Sequence, residues 1–80
     1  MLSANELISR IGPAIEGELW KKALARHVGL AERNVYRWTQ GTSTPRSGVF
    51  ADLITIMKAR RAELDELIAA TEAYLAEMKK

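Results

Sequence analysis

The sequence has no cysteine, one histidine and two prolines in 80 residues. Without cysteine there are no disulfides and no thiolate metal ligands. One histidine, His27, cannot build a structural zinc site. Aromatic residues are few. The β-branched residues are scattered, with no period-2 alternation, so strands lose their signature and an all-α fold is expected. No apolar run approaches the ~20 residues of a membrane span. The first ten residues lack a basic start followed by an apolar core, so no secretory signal is expected and a cytoplasmic protein is the simplest reading. There is no phosphate-binding glycine loop and no sign of a cofactor. A chain this short buries a modest core. With covalent and metal staples excluded, tidy helix packing or dimerisation is left as the source of stability.

The chain does carry an uneven distribution of charge. From Trp20 to Arg61 there are nine basic residues (Lys21, Lys22, Arg26, Arg33, Arg37, Arg46, Lys58, Arg60, Arg61) against two acidic ones (Glu32, Asp52), so the middle carries 9 − 2 = +7. The flanks hold three basic residues against eight acidic, 3 − 8 = −5. A basic middle between acidic flanks points to a polyanion partner at the middle.

Helix signals run the length of the chain. Ser3-Ala4-Asn5-Glu6 has the form of a capping box, with Leu2 and Leu7 placed as a hydrophobic staple. The first helix should start near Ala4, bury Leu7, Ile8 and Ile11, and end or kink at Gly12-Pro13. A second helix is expected from about Glu18 to Val28, with Leu19, Ala23, Leu24 and Val28 inward. Gly29 suits a left-handed turn, and Leu30 should plug the core there. A third helix should run from Ala31 or Glu32 to Gln40 and stop at Gly41, with Val35 and Trp38 inward. Thr42-Ser43-Thr44-Pro45-Arg46 reads as a polar loop, with Ser47 as the cap of the next helix. Val49, Phe50, Leu53, Ile54 and Met57 form a stripe facing the core. Beyond Arg60-Arg61 the stripe continues as Leu64, Leu67, Ile68, Thr71, Tyr74, Leu75 and Met78, on one long helix or two.

The stretch from Leu19 to Gly41 meets the internal demands of a helix-turn-helix. Counting from Lys21, the fifth position must be small and is Ala25. The ninth must tolerate a turn and is Gly29. The fifteenth and eighteenth must be apolar and are Val35 and Trp38. The run ALARHVGLAERNVYRWTQG, followed by a proline-containing loop, resembles the lambda-repressor-like (Cro/XRE-type) DNA-binding domains of small bacterial and phage regulators. The resemblance covers about Leu19 to Met57. It implies a lambda-repressor-like bundle of four to five helices, to which the stripe beyond Arg61 adds an extended C-terminal helix, and a second motif helix that enters the major groove of double-stranded DNA.

Carried onto this chain, Arg33 and Arg37 become the leading base readers, since arginine pairs bidentately with guanine O6 and N7. Glu32, Asn34 and Tyr36 are further base-contact candidates. Lys21, Lys22, Gln40, Thr42, Thr44 and Arg46 are candidate phosphate contacts. Lys21 stands where the family usually carries glutamine, which turns that position toward a phosphate. The loop carries Thr and Ser where the family often carries Lys, leaving Arg46 as its cation. Trp20 and Trp38 are expected in the core. His27 has no nucleophile or carboxylate at a catalytic spacing and reads as outer surface. Glu63, Asp65 and Glu66 do not share one helix face, so no metal site is expected.

Residues 1–61 therefore read as the DNA-binding domain and 62–80 as a C-terminal arm. Leu64, Leu67, Ile68, Tyr74, Leu75 and Met78 are its candidate dimerisation surface. The expected function is a transcriptional regulator, a repressor working as a homodimer on two half-sites, with no enzymatic activity. Two other readings use the same residues. In one the arm grips a different protein, as in an antitoxin. In the other the whole chain is a helical interaction module without DNA binding.

Overall fold

The computed structural model describes all 80 residues and contains four helices and no strand: α1 (Ala4–Glu16), α2 (Trp20–Val28), α3 (Glu32–Gln40) and α4 (Ser47–Met78). Each helix supplies one fully buried side chain to a common centre: Ile8, Leu24, Val35 and Leu53. Burying a side chain of this size contributes about 1.5–3 kcal/mol. Trp20, Ala25 and Trp38 complete the core, and Ile11, Ile15, Val28, Val49, Phe50, Ile56 and Met57 pack around it.

The start of α1 agrees with its sequence signal. The Glu6 amide donates to the Ser3 hydroxyl oxygen at 3.4 Å, and the Ser3 amide donates to the Glu6 carboxylate at 3.4 Å, closing the capping box. Its end lies beyond the Gly12-Pro13 pair. The helix passes through Gly12-Pro13 and stops only at Gly17, which takes φ 81°. Pro13 removes one backbone bond, yet the extra turn carries Ile15 to the edge of the core and places Glu16 under α2. Gly12 is a packing slot rather than a breaker. It is buried against the Trp20 indole, and a Cβ there would overlap the ring.

That indole also shifts the start of α2. The helix begins at Trp20, two residues later than expected. Trp20 takes the buried position over Gly12 and turns Leu19 out, leaving it 89% exposed. Leu19 is therefore not a core residue.

Helices α2 and α3 end in the same way. Gly29 and Gly41 adopt left-handed geometry, with φ 71° and 77°. The Leu30 amide donates to the Ala25 carbonyl at 2.9 Å, and the Thr42 amide donates to the Arg37 carbonyl at 3.0 Å. These six-to-one bonds define Schellman stops and satisfy carbonyls that the helix end would leave open. The connection between α2 and α3 is thus only Gly29, Leu30 and Ala31. Leu30 stays 42% exposed rather than plugging the core.

After the loop, with Pro45 buried, Ser47 is the first helical residue, and the preceding Arg46 supplies no side-chain cap. Leu53 anchors α4. Ile56 packs on the core in place of the expected Ile54, which is exposed. From there α4 is one unbroken helix of 32 residues. At ~1.5 Å per residue that is ~48 Å, and it accounts for the 56 × 24 × 21 Å extents of the molecule. No helix is long and apolar enough to cross a membrane.

Candidate nucleic-acid interface

Helix α3 divides cleanly by angle. Val35 and Trp38 point into the core. Glu32, Arg33, Tyr36, Arg37 and Gln40 are exposed and, at 100° per residue, form one continuous outward face. Arg33 and Arg37 are one turn apart on that face, where i,i+4 side chains are neighbours. Neither has a carboxylate within ion-pair distance. The ion pairs of the molecule join Arg60 to Glu16 and Glu63, and Lys80 to Glu77, while His27 lies against Glu16. The two guanidiniums are therefore free to meet an outside partner.

The other candidates fall into two groups on either side of this face. Lys21, Lys22, Glu32 and Tyr36 line a shallow hollow between the starts of α2 and α3, together with Glu18, Leu19 and Trp20. The Lys21 ammonium sits 4.4 Å from the centre of the Tyr36 ring and 5.7 Å from Trp20. Cation–π attraction of this kind holds a lysine head in place, so Lys21 and Tyr36 act as one unit. Asn34 lies on the opposite flank. It is half-buried and shares a cleft with Ser43, Thr44, Arg46 and Asp52, away from the Arg33–Arg37 line.

Thr42 is occupied differently. Its hydroxyl donates to the Arg37 carbonyl at 3.2 Å, beside the amide bond to the same oxygen. The hydroxyl proton thus helps close α3. Gln40 is exposed next to it at the end of the face.

The starts of α2 and α3 share another property. Their N-cap residues, Leu19 and Ala31, offer no side-chain hydrogen bond to the first turn. Helix N-termini carry unpaired amides and the positive end of the backbone dipole, which together favour anions.

One cluster escapes sequence reasoning. The Glu16 Oε1 atom lies 2.6 Å from His27 Nδ1 and 3.7 Å from an Arg60 nitrogen. No N–H is aligned on that buried oxygen as a full hydrogen bond, so proximity to His27 and the charge of Arg60 define the contact. His27 is exposed, as expected, and also touches Glu16. It joins α1 to α2, and Arg60 joins both to α4 where the long helix leaves the domain. Residues 11 and 44 positions apart make this cluster, and no local spacing signals it.

No family model, no curated protein and no solved structure matches this chain.

Proposed function

We propose that the chain is a sequence-specific double-stranded DNA-binding protein of the lambda-repressor-like, Cro/XRE-type helix-turn-helix kind, acting as a transcriptional repressor. The observation that carries this reading is the pair of exposed, unpaired arginines Arg33 and Arg37 on a short helix held rigidly from behind by Val35 and Trp38. A major groove ~12 Å wide admits such a helix, and each arginine can read a guanine edge. In this reading Glu32 accepts from a cytosine amino group beside them, and Tyr36 lies on the same face. Asn34 is the weakest of the base-contact candidates, because its side chain is turned toward the loop cleft.

Phosphate contacts flank the face in this reading. Lys22 and the Tyr36-stacked Lys21 serve one strand, with the uncapped start of α2 beside them. Arg46, Thr44 and Gln40 serve the other, while Thr42 contributes by fixing the end of α3. One module reads only a few base pairs, so a homodimer on two half-sites supplies the remaining affinity.

Titration of duplex DNA followed by fluorescence anisotropy tests the reading. Affinity should fall steeply with salt, and Lys22→Ala should reduce the slope of log K against log salt by ~1 without changing sequence preference. Absence of salt-dependent binding would refute it and leave a protein-interaction module.

A further inference from the structure

The outward face of α3 is polar except at one place. Glu32, Arg33, Arg37 and Gln40 present carboxylate, guanidinium and amide groups, and among them Tyr36 presents a ring that is 44% exposed. An exposed side chain ordinarily turns between rotamers on the picosecond to nanosecond scale. This ring has a brace. The Lys21 ammonium lies 4.4 Å from its centre and 5.7 Å from that of Trp20. Glu18 and Glu32 line the same hollow, yet neither comes within ion-pair distance of Lys21. The cation sits against the two rings instead of a carboxylate.

The brace reaches the core. Trp20 is buried over Gly12, where a Cβ would overlap the indole. Indole, ammonium and phenol therefore form a chain from α1 through the start of α2 to α3. Cation–π attraction requires the cation to stay over the ring face. That face of Tyr36 is taken, and the rest of the ring is left for a partner. The polar side chains around it match hydrogen-bonding groups on base edges. The major groove also offers one apolar group, the C5-methyl of thymine, and an aromatic ring is a surface that matches it.

We propose that Tyr36 determines specificity for a thymine by packing on its C5-methyl group, and that Lys21 is the positioning residue that holds the ring for this contact. The proposal rests on the DNA reading and adds to it a base and a brace. Tyr36 lies one turn from Arg33 on the same face, so the thymine neighbours the guanine that Arg33 reads. Ordering the ring before binding removes an ordering cost from the complex. Any phosphate that Lys21 also meets strengthens all sequences alike.

Replacing thymine by deoxyuracil removes this methyl and leaves base pairing intact, so the ratio of affinities for the two duplexes is the test. A duplex selected from a random pool by the wild-type chain is substituted one thymine at a time and titrated by fluorescence anisotropy at fixed salt. One thymine in each half-site should lose roughly four-fold in affinity, the worth of one buried methyl group. Tyr36→Phe should keep that ratio and Tyr36→Ala should abolish it. Lys21→Met should lower affinity and bring the ratio below about two, and Lys21→Arg, which still stacks on aromatic rings, should restore it. Neither residue belongs to the core cluster, so circular dichroism should show all four variants folded. A selected motif without thymine, indifference to every thymine methyl, or discrimination that survives Tyr36→Ala would overturn the proposal and leave the DNA reading standing. So would a Lys21→Met variant that weakens both duplexes and keeps the ratio, which is the behaviour of a phosphate contact alone. A chain that binds no duplex removes both.

Discussion

Gly12 shows how a single side chain's absence can set an element's limits. With no Cβ, it lets the Trp20 indole lie on α1, and this contact decides where α2 begins and why Leu19 faces water. Gly12→Ala should cost about 1–3 kcal/mol, as overpacking of a tight core does. Urea unfolding followed by tryptophan fluorescence measures it directly, and a change under ~0.5 kcal/mol would mean the ring moves aside freely. The residues whose role depends on their own helix are legible in the sequence: period alone turns Ile8, Leu24, Ala25, Val35 and Trp38 inward. Gly12, Leu19 and His27 are not, because each is fixed by a residue on another helix. Gly-Pro reads as a stop for the same reason. Local propensity sees the lost backbone bond at Pro13, and the sequence offers Ile15 as a core contact, but neither shows the placing of Glu16 against His27 and Arg60 one turn later.

Among elements, the unit of α2, Gly29, Leu30, Ala31 and α3 is the most completely specified. Both glycine stops, the small Ala25 and the inward pair Val35 and Trp38 are readable, because each is a local demand of short helices closed by left-handed residues. The entry to α4 is displaced by one residue, since Ser47 resembles a cap but starts the helix. The choice between one long helix and two also lies beyond periodicity, as Arg60 and Arg61 interrupt the apolar stripe without breaking the backbone. The Arg60 contact with Glu16 explains why a charge is tolerated on that side. Leu53 is the only side chain of α4 fully enclosed by the domain. Leu53→Ala should destabilise the fold by about 2–5 kcal/mol, a large share of the ~5–15 kcal/mol typical of small domains. Thermal melting followed by circular dichroism would show this as a lower midpoint. An unchanged midpoint would mean that the partly buried Val49, Phe50, Ile56 and Met57 hold α4 without it.

Over the whole molecule, charge is sorted along the long axis. The domain carries the +7 of residues 20–61, and the distal half of α4 carries five carboxylates between residues 62 and 78. In the proposed arrangement the basic end meets DNA, with an affinity that falls as salt rises. The contrast is legible as a count, but its geometry is not. That Arg33 and Arg37 share an outward face is legible from their spacing; the fold adds that neither is ion-paired, that Lys21 stacks on Tyr36 and that Asn34 lines the loop cleft. The central claim is that Arg33 and Arg37 read bases, and selection of bound duplexes from a random pool tests it most directly. The wild-type chain should enrich a short motif containing guanines. The Arg33→Ala, Arg37→Ala variant should fold normally, since both positions are exposed, and lose those guanines with ~1–3 kcal/mol of discrimination per contact. A variant that binds as tightly and enriches the same motif would contradict the claim.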